Sequence, residues 1–146
     1  IWWSFPSDED AFEAENFHRD TDALEFYKYF IYITDVDRRT GPTTLIKGSH
    51  KTSDFFSHER FSDDEIFSAY PDREVMVGSK GTSFVANTVG LHKGQKPTNG
   101  KRLLLQVRYS LHGSSFRYRG SKHKVNYQWV KDYAYKDYLA QPCKII

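Results

Sequence analysis

The chain of 146 residues contains a single cysteine, Cys143. One thiol excludes an internal disulfide and a cysteine-rich zinc site, and it is compatible with a reducing compartment, so we expect a cytoplasmic protein. No apolar run approaches the roughly 20 residues of a membrane-spanning helix, and no signal peptide is visible. The length suits one domain covering residues 1–146. Because the first residue is Ile1 rather than Met, we expect an N-terminal region of the full protein to be lacking.

Acidic residues are missing from a long part of the sequence. No Asp or Glu occurs between Val75 and Lys131, where there are eleven Lys and Arg, whereas residues 1–26 contain eight acids and one arginine. The net charge is only +2, so the charges are segregated rather than in large excess. Such segregation is typical of proteins that meet an anionic partner, and a solvated basic face explains it equally well.

Aromatic residues, by contrast, make up 16% of the chain and occur in short runs separated by turns. Residues 25–34, EFYKYFIYIT, are rich in aromatic and β-branched side chains and predict a strand. Its alternation places Lys28, Phe30 and Tyr32 on one face. The remaining predicted elements are strands at 43–46, 73–77, 82–87 and 101–111, and helices at 62–70 and 127–140. Closely spaced strands with few helices indicate a β-sandwich or barrel.

The segment NFHRDTDALEF, residues 16–26, places His18 two residues before Asp20. It fits a pair of metal ligands, a fragment of a kinase-like catalytic loop or a solvated turn. A kinase loop needs an asparagine five residues after the aspartate, where this chain has Glu25. It also needs a glycine-rich nucleotide loop far upstream, whereas only 17 residues precede His18. The kinase hypothesis is therefore excluded.

The metal hypothesis requires further ligands. If His18 and Asp20 lie on one strand, their side chains project from the same face, as residues i and i+2 do. A third ligand would complete the two-histidine, one-carboxylate set of non-haem Fe(II), and His92 in TVGLHKG is the candidate. Arg102 follows ten residues later, where its guanidinium could hold a carboxylate with two parallel hydrogen bonds.

The order of these segments resembles the phytanoyl-CoA dioxygenase family of Fe(II)- and 2-oxoglutarate-dependent oxygenases. The resemblance covers about residues 16–111, and it rests on His18-x-Asp20, YITDVDRRTGP with KGSH, TVGLHKG, and then Arg102. Two positions depart from the family. A serine often stands two residues after the distal histidine, where this chain has Gly94, and a proline stands where it has Lys47.

The resemblance implies an all-β fold: a double-stranded β-helix, or cupin-like jelly roll, with a few short helices. It implies that His18, Asp20 and His92 bind Fe(II) at one mouth of the fold. It also implies that Arg102 holds the distal carboxylate of 2-oxoglutarate, the cosubstrate.

Further pocket residues are expected on the strand after the His-x-Asp and in the loop after the distal histidine. Phe30 aligns with an aromatic that relatives place beside the cosubstrate, with core packing as the alternative, and Tyr32 is expected there too. Lys28 and Lys93 are the candidate substrate-binding residues. The loop from Lys93 onwards also contains Lys96 and Lys101, which favour an anionic substrate.

The predicted function is hydroxylation of an unactivated C–H bond of a small, anionic metabolite by O2 and 2-oxoglutarate, with desaturation left open. The alternative is a jelly roll that has lost catalysis and binds glycan or nucleic acid, because FRYRGSKHKVNYQW mixes basic and aromatic residues. Such a module would have no need to keep the ligand set and Arg102, so nucleic acid is not the expected partner. A cupin-type isomerase would usually have a denser His-x-His and Glu cluster, which this sequence lacks.

Overall fold

The computed structural model describes residues 1–21, 26–57, 59–110 and 144–145. These residues form the strands β1 (Trp2–Ser4), β2 (Phe26–Tyr32), β3 (Thr43–Ile46), β4 (Arg73–Met76), β5 (Ser83–Ala86), β6 (His92–Gly94), β7 (Arg102–Ser110) and β8 (Lys144–Ile145). They also form one α-helix, α1 (Asp63–Ala69), and 3-10 turns at Glu13–Glu15 and Ser49–Lys51. The larger sheet has the order β1-β7-β2-β5-β8, and the smaller sheet has the order β4-β3-β6.

The main core lies between the two sheets. From the larger sheet it contains Phe30, Tyr32 and Phe84, and from the smaller sheet Leu45 and Met76, all of them buried. The rings of Phe30 and Phe84 are stacked with centroids 4.9 Å apart, an arrangement that adds to the stability gained from burying them. The fold is therefore all-β with two sheets packed face to face, as expected of a jelly roll.

Strand β2 is the centre of the larger sheet, because it pairs antiparallel with both β7 and β5. Its side chains alternate as predicted: Phe30 and Tyr32 are buried in the core, whereas Tyr27 is 43% exposed on the other face. Lys28 lies on the same face as Phe30, since residues two apart in a strand point the same way. This alternation carries Lys28 towards the mouth of the fold.

Strand β3 is the centre of the smaller sheet and pairs antiparallel with β4 and β6. In this register Leu45 lies opposite His92, and Thr43 lies opposite Gly94. The short β6 has no apolar periodicity of its own, so its position depends on this pairing. The pairing holds His92 on an ordered strand.

A second apolar cluster lies beside helix α1. The helix begins at a capping box, in which the Ser62 hydroxyl accepts from the amide of Glu65 and the Glu65 carboxylate accepts from the amide of Ser62. Its Ile66 is fully buried against Phe17 and Leu91. Because Phe17 precedes His18 and Leu91 precedes His92, the cluster anchors the residue next to each histidine.

Most of the elements predicted from the sequence are confirmed. The predicted strands correspond to β2, β3, β4, β5 and β7, with ends that differ by one or two residues, and the helix predicted at 62–70 corresponds to α1. Strands β1, β6 and β8 were not predicted. The helix predicted at 127–140 lies outside the described residues. Within the described ranges, no helix is long and apolar enough to cross a membrane.

Candidate metal centre

His18 and His92 meet across a backbone bridge. The amide of each donates to the carbonyl of the other at 3.0 Å, and the two imidazole centroids lie 4.3 Å apart. Contrary to the expectation that His18 and Asp20 share a strand, this segment is not one of the regular strands. It forms single bridges instead, from Phe17 to Phe61 and from His18 to His92. Reciprocal hydrogen bonds between the two main chains therefore set the separation of the histidines.

Each imidazole is held by the same local contact. Nδ1 of His18 lies 2.9 Å from the carbonyl oxygen of Asn16, and Nδ1 of His92 lies 2.9 Å from that of Gly90. A carbonyl oxygen only accepts, so Nδ1 of each ring donates, and each neutral ring presents the lone pair of Nε2. Burial, aided by the nearby His92, lowers the pKa of His18 to about 4, so its imidazole is neutral at pH 7. A neutral imidazole with a fixed tautomer is the form that binds a metal.

The Asp20 carboxylate lies between the two free nitrogens. Its Oδ2 is 3.4 Å from Nε2 of His92, and its Oδ1 is 3.9 Å from Nε2 of His18. The Asp20 amide donates to the carbonyl of Thr88 at 2.9 Å, which fixes the backbone at this position. Burial raises the pKa of Asp20, but His92, when protonated, and Lys28 outweigh it, so this pKa lies below its ordinary value.

The three side chains fit a metal ion. One ligand atom from each of His18, Asp20 and His92 lies within 4.8 Å of the others. When both rings are neutral, the groups that face one another at this centre are lone pairs on nitrogen and oxygen, which repel unless a cation lies between them. Two imidazoles and one carboxylate are ligands that suit first-row metals such as iron. The structure thus brings together the three residues proposed as ligands from the sequence.

Lys28 reaches the same carboxylate. Its ammonium donates to Oδ2 of Asp20 at 2.5 Å, and both side chains are largely buried. The sequence predicted that Lys28 binds substrate. Its ammonium has an anionic partner within the protein, and the contact with substrate stays a prediction.

A cavity of about 530 Å³ opens beside the three side chains. Arg102 lines it although only 4% of this residue is exposed. One of its nitrogens, Nη1, donates to the carbonyl of Gly41, Nη2 donates to the Ser4 hydroxyl at 2.9 Å, and Nε has no partner. Among the residues that the structure describes, no carboxylate forms an ion pair with Arg102. The cavity therefore contains a buried positive charge that forms no ion pair with a described residue.

The two aromatic residues predicted beside the cosubstrate differ in position. Phe30 lines the cavity together with Leu104, and it also stacks on Phe84 in the core. Tyr32 is fully buried and is not part of the cavity lining. Its hydroxyl donates to the carbonyl of Met76 at 2.8 Å and accepts from the amide of Thr43 at 3.1 Å. The hydroxyl of Tyr32 thus joins the two sheets, and its place outside the cavity lining does not support direct contact with a cosubstrate.

The lysines that follow His92 do not form the expected cationic mouth. Lys93 lines the cavity, but it is 7% exposed and its ammonium lies 2.5 Å from Oδ1 of Asp63. Lys96 donates to the carbonyl of Glu9, and Lys101 lies over the ring of Trp3; neither lines the cavity. These three lysines therefore give no support to an anionic substrate. Residues 111–143, which include the basic residues of the tail, lie outside the described ranges.

Arg19 is a buried residue whose role sequence reasoning missed. Only 3% of it is exposed, and its guanidinium donates to the carbonyls of Ser49, Asp54 and Val89 and to the Thr52 hydroxyl. These contacts join the loop after β3 to the turn before β6. The available signal was its position between His18 and Asp20, because alternation along an extended segment turns the middle side chain to the opposite face.

The other histidines are not part of this centre. His50 is exposed on the 3-10 turn at Ser49–Lys51. Its neighbour Ser49 is fully buried and donates to the carbonyl of Ile46, so the packing in this segment comes from the serine. His58, His112 and His123 lie outside the described residues.

No protein-family model matches the chain, and no curated protein matches it. Similar solved structures include HygX from Streptomyces hygroscopicus in its apo form, at 22% identity and a TM-score of 0.43, covering 63% of this chain and 38% of that one. The iron-bound form has 22% identity, a TM-score of 0.42 and coverages of 63% and 39%. The form with nickel, 2-oxoglutarate and hygromycin B bound has 21% identity, a TM-score of 0.40 and coverages of 63% and 37%. The chain thus spans less than two fifths of the HygX chain, and a similarity at this level does not assign an activity.

Proposed function

We propose that this chain is the core of a non-haem Fe(II)- and 2-oxoglutarate-dependent dioxygenase that hydroxylates an unactivated C–H bond of a small metabolite. The observation that carries the proposal is one cavity in which a buried His18, Asp20 and His92 cluster and a buried Arg102 without an ion-pair partner occur together. A cluster of ligands alone would suit many metal sites. The combination with a buried cation favours a cosubstrate that binds a metal and also has a carboxylate.

The donor set supports iron. Two imidazoles and one carboxylate form a facial set that leaves three of six coordination positions open, which is typical of non-haem Fe(II) oxygenases. When bound, Fe(II) and 2-oxoglutarate would supply the chemistry that activates O2 and oxidises the substrate, with succinate and carbon dioxide as coproducts. The carbonyls of Asn16 and Gly90 keep each Nε2 available by holding the opposite nitrogen of its ring.

Arg102 supports 2-oxoglutarate. A buried charge without a partner is unfavourable, so an anion that reaches Arg102 is stabilised by more than it would be at an exposed arginine. Arg19 shows the contrast: it is equally buried, but each of its three guanidinium nitrogens has an acceptor in the protein. Nε of Arg102 has no acceptor among the described residues, and Arg102 lines the cavity that also contains the three proposed ligands.

The remaining lining residues would orient the cosubstrate and exclude water. Phe30 and Leu104 give the cavity an apolar wall, and both are nearly fully buried. An apolar wall restricts the approach of water and strengthens the interaction between Arg102 and a carboxylate. Towards the exposed side, Trp2, Gln106 and an ion pair between Arg60 and Glu13 line the part where we propose the substrate binds.

The test is an anaerobic titration of the Fe(II)-loaded protein with 2-oxoglutarate. Chelation of ferrous iron by the oxo-acid produces a visible charge-transfer absorption band, so we expect a saturable band at one equivalent of iron. Succinate that depends on iron, 2-oxoglutarate and O2 together would then establish turnover. A protein that binds iron but develops no band would contradict the proposal and favour a jelly-roll binding module.

A further inference from the structure

We propose that Lys28 is a positioning residue that keeps Asp20 a one-oxygen metal ligand and so keeps three coordination positions available for the cosubstrate and O2. This inference rests on the proposed function and gives Lys28 a different role from the substrate contact expected from the sequence. Lys28 would act through Asp20, so replacing it should change how the metal centre binds 2-oxoglutarate and O2.

The geometry assigns one of the two carboxylate oxygens of Asp20 to the protein. Nζ of Lys28 donates to Oδ2 at 2.5 Å, and the two side chains are 16% and 15% exposed. A hydrogen bond between oppositely charged, largely buried groups is among the stronger polar interactions in a protein. The oxygen that accepts this bond is less available as a ligand, whereas no lysine or arginine among the described residues donates to Oδ1.

The surroundings of Lys28 direct it towards Asp20. On β2 its residue partner across one neighbouring strand is Ala86, which is small, and across the other it is Arg108, which has the same charge. Like charges opposite each other on two strands repel. Within the parts of the chain that the structure describes, Asp20 is the acidic residue that forms an ion pair with Lys28.

The number of oxygens that Asp20 contributes decides what else the centre can bind. Two imidazoles and one carboxylate oxygen leave three of six positions, of which 2-oxoglutarate takes two and O2 one. If Asp20 bound through both oxygens, only two positions would remain, and the cosubstrate and O2 would compete for them. A lysine that holds the second oxygen prevents this competition.

The experiment compares Fe(II) affinity with 2-oxoglutarate affinity in the same variants. For Lys28→Met we expect Fe(II) to bind at least as tightly as in the wild type, because a neighbouring positive charge is removed and a second oxygen becomes available. We expect 2-oxoglutarate to bind about 10- to 100-fold more weakly, by analogy with the size of the effect that such partners of metal ligands have on metal affinity or activity. Iron is measured by competition with a chelator, and 2-oxoglutarate by the anaerobic charge-transfer band.

A conservative variant, a control variant and nitric oxide, which probes the coordination position left for O2, separate a positioning role of Lys28 from direct contact with the cosubstrate. Lys28→Arg keeps a cationic donor and should restore 2-oxoglutarate binding, and Lys51→Met, at an exposed lysine, is the matched control. With 2-oxoglutarate at saturation, nitric oxide should bind the Fe(II) protein less well in Lys28→Met than in the wild type. If Lys28 instead contacted the cosubstrate directly, nitric oxide binding at saturation would be unchanged.

The outcomes that overturn the inference are distinct from those that overturn the proposed function. Equal 2-oxoglutarate affinity in Lys28→Met and the wild type, unchanged nitric oxide binding at saturation, or a parallel loss of iron and cosubstrate binding would each overturn the positioning role alone. The last result would mean that Lys28 is needed only for folding of the site, which thermal unfolding of the metal-free variants would report. The absence of a charge-transfer band in the wild type would overturn the proposed function and this inference together.

Discussion

A Cβ atom added at Gly94 would lie 3.0 Å from Nη2 of Arg102, so the glycine makes room for the guanidinium. The family that the sequence resembles often has a serine at this position, and that serine helps to bind the cosubstrate carboxylate. In this chain a serine hydroxyl reaches the guanidinium from another strand, since Nη2 of Arg102 donates to Ser4 of β1. This chain thus has a glycine where the family often has a serine, and it has a serine on β1 that contacts Arg102.

Replacing Arg102 should weaken cosubstrate binding. The loss of one partner of a buried, charge-assisted pair typically costs about 2–5 kcal/mol. Arg102→Met is thus expected to weaken 2-oxoglutarate binding by roughly tens to thousands of fold, and Arg102→Lys by less because it keeps the charge. The anaerobic charge-transfer titration measures both. An affinity equal to that of the wild type would transfer the role to Arg108, which lies on the same face of β7.

Replacing Tyr32 should affect stability and leave cosubstrate binding unchanged. Tyr32→Phe removes a hydroxyl that bonds to both Met76 and Thr43 in the core, which we expect to lower the free energy of unfolding by about 1–3 kcal/mol. Urea unfolding of the metal-free protein measures the free energy of unfolding, and the charge-transfer titration measures the affinity for 2-oxoglutarate. A large loss of 2-oxoglutarate affinity without a loss of stability would restore the role predicted from the sequence.

Each member of the proposed ligand set should be required for metal binding. His18→Ala and His92→Ala each remove one donor, and we expect affinity for Co(II), followed by its visible absorption, to fall by more than about 100-fold, since even partners of ligands cost 10- to 100-fold. His50→Ala is the control, because this exposed histidine lies outside the cluster. Wild-type affinity in either ligand variant would place the metal elsewhere.

Arg19 should contribute to folding rather than to chemistry. Arg19→Met leaves the carbonyls of Ser49, Asp54 and Val89 without their donor, so we expect a loss of about 2–4 kcal/mol in the free energy of unfolding. Arg38→Met, at an exposed position, should change it by less than about 0.5 kcal/mol. Guanidinium unfolding of both variants checks the difference, and equal stabilities would mean that water replaces the arginine at no cost.

The strands that could be predicted from the sequence are those with a pattern of their own. Residues 25–34 alternate between core and surface, so β2 was recognisable together with the shared face of Lys28, Phe30 and Tyr32. Strands β1 and β6 have three residues each, too few to show a period, and β6 contains a glycine. Their position follows from pairing with β7 and β3, which are distant in sequence.

The candidate site, too, could be predicted from the sequence only in part. Residue type and order were enough to propose His18, Asp20 and His92, because two imidazoles and a carboxylate suit a metal ion and their order in the chain resembles that of a known family. Which cations are free depends on contacts between distant elements: Lys93 is neutralised by Asp63, thirty residues away, on the first turn of α1. A sequence shows how many charges it has, and it does not show which of them already have partners.

The hydrogen bond between Arg102 and Ser4 also couples the edge of the sheet to the cavity. Strand β1 is three residues long and lies at the end of the larger sheet, where strands open more often than at the centre. A ligand that needs Arg102 in its present orientation will bind best to molecules in which β1 is paired with β7. By mass action the same ligand will increase the fraction of molecules with β1 in place. Pairing of β1 with β7 and binding of an anion at Arg102 are thus thermodynamically coupled. A measurement of one, such as amide exchange in β1, would therefore report on the other.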